Sequence, residues 1–86
     1  MATVRFRLVD WIRDPNNQDI VNASYVARPA SQDVVIRTRD VRAVSCCRES
    51  VKVTEIWLAD YAHLLQVYAE LDVVIELLIL HGWDTQ

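Results

Sequence analysis

Few side chains in these 86 residues are of a type that does chemistry, and their spacing brings few of them together. The two histidines are His63 and His81. On a helix they would share a face but lie five full turns, about 27 Å, apart, so they cannot act on one substrate within one chain. Asp60 and His63 are i,i+3 neighbours, with Glu70 two turns further along the same side. That is an incomplete ligand set and reads as a solvated polar face. Cys46 and Cys47 are adjacent, and neighbouring side chains of a strand point to opposite faces, so the two thiols do not easily share a metal or close an ordinary bridge. Metal sites usually show CxxC pairs, and no second ligand pair is present. The expectation is two reduced thiols, one buried and one not. Motifs for dinucleotide, phosphate, zinc-protease or serine-hydrolase chemistry are absent, and the single glycine leaves no loop to cradle a phosphate. The sequence therefore predicts a non-catalytic protein without cofactor or metal.

What remains for function is charge and apolar surface. Residues 1–48 carry eight arginines against five aspartates, a net +3, whereas residues 49–86 carry Lys52 against seven acids, a net −6. The overall charge of −3 conceals two halves of opposite sign. Three Trp and three Tyr supply anchors of the kind that dominate protein interfaces.

The elements that must position these residues follow from periodicity. Thr3 to Ile12 alternates, with Val4, Phe6 and Leu8 on one face and Arg5, Arg7, Val9 and Trp11 on the other, as a half-buried strand does. Asp14-Pro15-Asn16-Asn17 is a turn. Ile20 to Ala27 is a second strand, ended by Arg28-Pro29-Ala30-Ser31. Asp33 to Arg39 is a third, continued or followed by Arg42 to Cys47 past a bend at Asp40, with a weaker piece at Ser50 to Val53. From about Glu55 the period changes. Tyr61, Leu64, Tyr68, Leu71, Ile75 and Leu78 recur at spacings of three and four, one stripe of a helix. Thr54 would be its N-cap, and Gly82 its C′ residue after His81. The fold class is therefore α+β: a three- to four-stranded antiparallel sheet from residues 1–53, a long helix over 54–82 packed on one face, and a tail at 83–86, all one domain. Such a helix would span roughly 39 Å, against a diameter of about 31 Å for a compact chain of this length. It also carries a second apolar strip, Ala62, Ala69, Val73 and Leu80 with Leu77 nearby. Either the helix kinks near Asp72 or a second molecule covers that strip. Self-association through Val73, Leu77 and Leu80 is the expectation. Asp72 itself is expected at the edge of the main stripe, in water.

Two binding surfaces emerge. An acidic and aromatic one, with Glu55, Asp60, Glu70, Trp83 and Asp84, would dock another protein through a basic surface. The alternative is a sheet face holding Arg5, Arg7, Trp11, Arg37 and Arg39, suited to phosphate contact and base stacking on nucleic acid. A net negative charge and a single Lys weigh against the second. In size and acidity the chain resembles small phage-encoded inhibitors, anti-CRISPR proteins among them, a likeness of profile and not of motif. That resemblance implies a module that blocks or tethers a macromolecular partner. No secretory signal is visible, and the most apolar run, Leu71 to Leu80, is too short to span a bilayer. The expected location is cytoplasmic, which makes the Asn22-Ala23-Ser24 sequon a coincidence.

Overall fold

The computed structural model describes residues 2–17, 24–59 and 64–84. Five strands, β1 (Thr3–Arg13), β2 (Tyr25–Arg37), β3 (Val41–Cys46), β4 (Thr54–Leu58) and β5 (Leu65–Val67), precede one helix, α1 (Leu71–Leu80). They form one antiparallel sheet in the order β2-β1-β5-β4-β3. The α+β class and the C-terminal helix agree with the sequence reading, with five strands where three or four were expected.

Strand alternation decides the two faces. Val4 and Phe6 of β1 and Ile36 of β2 point inward, and Arg5, Arg7, Val35 and Arg37 point outward. On β4, Thr54 and Ile56 are buried while Glu55 and Trp57 face out. The inward residues Val4, Phe6, Ile36, Val41, Ile56 and Val67 share a core with Val74 and Leu78 of α1. β2 and β3 are the two edges of the sheet, yet only a single 3-10 turn, Thr38–Asp40, joins them. A flat sheet would hold its edges four strand spacings apart, about 19 Å. The sheet must therefore roll around the core.

Three expectations are corrected. Arg28-Pro29-Ala30-Ser31 does not end a strand. β2 runs through it with an irregularity in which Ala30, Ser31 and Gln32 stand opposite Leu8. Pro29 is tolerated because β2 is an edge strand, where a missing N–H need not break a ladder. The helix over 54–82 is also corrected. It starts at Leu71, is about 15 Å long, and residues 54–58 and 65–67 are strands. The spacing-of-three-and-four stripe began beyond β4 and crossed β5 by chance, while Thr54-Glu55-Ile56-Trp57-Leu58 alternates with period two, and long-range pairing rewards the latter. Thr54 is thus no N-cap. Buried in β4, it donates its hydroxyl to the Ala69 carbonyl at 2.7 Å. The third correction concerns the weaker strand piece at Ser50 to Val53, which is part of the connection between β3 and β4. The molecule measures 47 × 23 × 23 Å, and β1 and β2, about 36 and 43 Å long at 3.3 Å per residue, are its longest elements.

The C-terminal end of α1 agrees with the sequence. Gly82, at φ +94°, follows the cap residue His81. The Trp83 N–H donates to Leu78 O at 2.9 Å and the Gly82 N–H to Ile79 O at 3.0 Å, closing a Schellman motif. A second buried threonine, Thr38, donates to the His81 carbonyl at 3.1 Å. The Trp83 indole N–H donates to Val41 O at 3.1 Å. Both ends of the helix are thereby fastened to the sheet.

Because Val74 and Leu78 are buried and Leu80 is 76% exposed, Leu78→Ala should cost about 2–5 kcal/mol in urea unfolding, and Leu80→Ala no more than about 0.5 kcal/mol. Thr54→Val, which strips the Ala69 carbonyl of its donor, should cost about 1–3 kcal/mol.

Candidate functional site

The outward face of the roll carries one groove that gathers polar and aromatic side chains from four elements. Trp11 of β1, Ser24 and Tyr25 at the start of β2, Glu55 of β4, Gln66 of β5 and Glu49 from the β3–β4 turn border an open depression of about 800 Å³. Glu55 and Gln66 are cross-strand partners. Both point outward because Ile56 and Val67 point in.

A hydrogen-bond chain sets the groove's geometry. The Trp11 indole N–H donates to Gln66 Oε1 at 2.9 Å. An indole can only donate, which fixes the Gln66 amide with its NH2 toward Glu55 Oε2, at 3.3 Å. The same NH2 approaches Cys47 Sγ at 3.9 Å, and the Cys47 thiol donates to Glu49 Oε2 at 3.0 Å. Burial, and then Glu49, push the Cys47 thiol up from its ordinary value. The thiol's hydrogen bond in turn holds the Glu49 carboxyl below the usual carboxylate range. A thiol kept protonated is a poor nucleophile, and a carboxyl kept ionised is a poor general acid. Neither Glu49 nor Glu55 has an ion-pair partner among the described residues. The arrangement sets two carboxylates, neither in an ion pair among the described residues, beside an indole and an exposed phenol, groups that attract a cation.

The residues singled out in the sequence are distributed differently. Glu55 lies in the groove. Glu70 occupies the exposed N-cap position of α1 without capping it, and Asp84 is exposed beyond the helix. The sheet stands between them and Glu55, because Thr54 faces the helix side and Glu55 the other. Asp60, with Tyr61 and His63, lies outside the described residues. Trp83 packs on the chain's own core. On the alternative face, Arg5, Arg7 and Arg37 do lie together and outward, while Arg39 sits in the 3-10 turn. Arg7 pairs with Asp33 at 3.3 Å, and Arg37 and Arg39 each approach Asp40 at 3.9 Å. Trp11 is half-buried and held by Gln66, away from a stacking role beside those arginines. Val73 and Leu80 are exposed and Asp72 is in water, but Leu77 packs against the core. Sequence reasoning missed Ser24, Tyr25, Glu49, Gln66 and the role of Cys47. The outward position of Gln66 is visible only once residues 65–67 are read as a strand.

A second depression of about 290 Å³, bordered by Val34, Val35, Ile36, Leu58 and Leu65 with Arg37 and Asp40, mixes aliphatic and polar surface. Among the described residues no three His, Cys, Asp or Glu are arranged to hold a metal ion, and no helix is long and apolar enough to cross a membrane. No protein-family model, curated protein or solved structure matches this chain.

Cys46 is exposed and Cys47 buried, both free. A thiol-alkylating reagent at pH 7–8 should label Cys46 in the native protein and both residues only after denaturation, read by mass spectrometry. The pH dependence has a definite sign. The raised Cys47 value adds stability that is fully present below its ordinary value of 9.0 and is lost as pH rises through the folded value. Cys47→Ser should remove that alkaline loss. Glu49 acts oppositely, contributing above its ordinary value of 4.5 and losing the contribution as pH falls through its lowered one.

Proposed function

We propose that this chain is a non-catalytic interaction module that holds a basic segment of a partner protein in the groove between Trp11, Tyr25, Glu49 and Glu55, and so blocks or tethers that partner. The observation that carries the reading is the pair of carboxylates that form no ion pair among the described residues, Arg48 acting on Glu49 only as the weakest of its influences, flanked by aromatic rings. A guanidinium entering there gains charge-assisted hydrogen bonds from the carboxylates and a ring face beneath it. The Trp11–Gln66–Glu55 chain supports the reading further, because side chains already held by hydrogen bonds lose little freedom on binding. The nucleic-acid reading rests on Arg5, Arg7 and Arg37, and is weakened by the acids beside two of them and by the inward engagement of Trp11.

The test is a titration of the labelled protein with N-acetyl-arginine methylamide, followed by amide and indole NMR. Shifts should concentrate on the Trp11 indole N–H, the Gln66 side-chain amide and Tyr25, with a dissociation constant on the order of millimolar. Glu49→Gln combined with Glu55→Gln should abolish them while leaving the rest of the spectrum in place. Shifts that persist in the double variant, or none in the wild type, would reject the groove as a cation receptor. A single-stranded oligonucleotide shifting Arg5 and Arg37 at low salt would favour the nucleic-acid face instead.

A further inference from the structure

β2 is the last strand of the sheet, and its pairing with β1 shows which of its backbone groups are in use. The Thr38 N–H donates to Ala2 O at 3.2 Å, and the same register continues through Ile36↔Val4 and Val34↔Phe6. In an antiparallel ladder, hydrogen-bonded and non-hydrogen-bonded pairs alternate. Thr38, Ile36 and Val34 therefore turn N–H and C=O toward β1, and Asp33, Val35 and Arg37 turn theirs to the open edge. The side chains of those same three residues lie on the outer face, with Val35 55% exposed.

We propose that this edge pairs with β2 of a second copy of the chain, antiparallel about a two-fold axis at Val35. That register sets Val35 opposite the Val35 of the copy. It sets Asp33 opposite Arg37 and, by symmetry, Arg37 opposite Asp33, with a hydrogen-bonded backbone pair at each position. Charges on an edge strand ordinarily keep other strands away. Here the pattern acid, apolar, base reads the same in both directions across the axis, so opposite charges meet and the pair is attractive. The other edge lacks this property, because β3, Val41–Cys46, carries Arg42 and no acid. The exposed strip of α1 is also disfavoured as a two-fold contact, since Asp72 and Glu76 accompany Val73 and Leu80 and would face their own copies. Pro29 and the irregularity at Ala30–Gln32 confine the contact to residues 33–37, so it is short and sensitive to salt.

Sedimentation equilibrium of the full chain, from a few to about 100 µM, tests this independently of the groove. A dimer mass at the upper end is expected. Arg37→Asp sets like charges opposite each other and should weaken the dimer about tenfold or more. The exchange Asp33→Arg with Arg37→Asp should restore it. Val35→Pro, which removes an N–H aimed at the open edge, should give a folded monomer by circular dichroism. Val73→Glu with Leu80→Glu should leave the dimer intact. A wild-type monomer across the range, a dimer indifferent to Arg37→Asp, an exchange variant that stays monomeric, or a dimer lost in the helix variant would each overturn the proposal.

Discussion

Thr38–Asp40 join strands that stand at opposite edges of one sheet, and the rest of the structure depends on that short connection. The strands between those edges cannot lie flat while a few residues bridge them. Rolling is the only way to satisfy both the hydrogen-bond ladder and the covalent tether. The roll turns one face of every strand onto a common interior, where Val4, Phe6, Ile36, Val41, Ile56 and Val67 meet. It also lets a chain of this length bury a core that a flat five-stranded sheet would leave half open.

The helix completes that interior more than it builds it. Ten residues are too few for an isolated helix to persist in water, so α1 owes its existence to what it covers. Val74 and Leu78, one turn apart, fill the core. Buried hydroxyls on Thr54 and Thr38 take up the carbonyls of Ala69 and His81 before and after it. Those hydroxyls do two jobs at once, since a buried threonine needs an acceptor and the bond fixes the chain on either side of the helix.

Rolling has a consequence for the outer surface as well. Residues far apart in sequence, Trp11, Glu49, Glu55 and Gln66, come to border one groove, and the Gln66 amide links three of the elements that carry them. The basic first half of the chain and the acidic second half interleave in the sheet, because β5, from the acidic half, lies beside β1 from the basic half. Yet neither Glu49 nor Glu55 forms an ion pair among the described residues, while Arg7 of β1 is engaged with Asp33, and Arg37 of β2 and Arg39 of the 3-10 turn lie beside Asp40.

Much of the fold was legible in the residues themselves. Alternation in 3–12 placed Val4 and Phe6 inside and Arg5 and Arg7 outside, because a half-buried strand has one wet face. Gly82 marked the end of the helix, because its positive φ penalises any side chain. The exposure of Val73 and Leu80 and the unequal fates of Cys46 and Cys47 also followed from local pattern. The start of the helix did not. Residues 54–67 carry apolar spacings compatible with either period, and pairing with β1 and β3, distant in sequence, decides between them. The groove was hidden for the same reason. Gln66 and Glu49 have no local signature of function, and their meeting with Trp11 exists only once β5 has paired with β1 and β4.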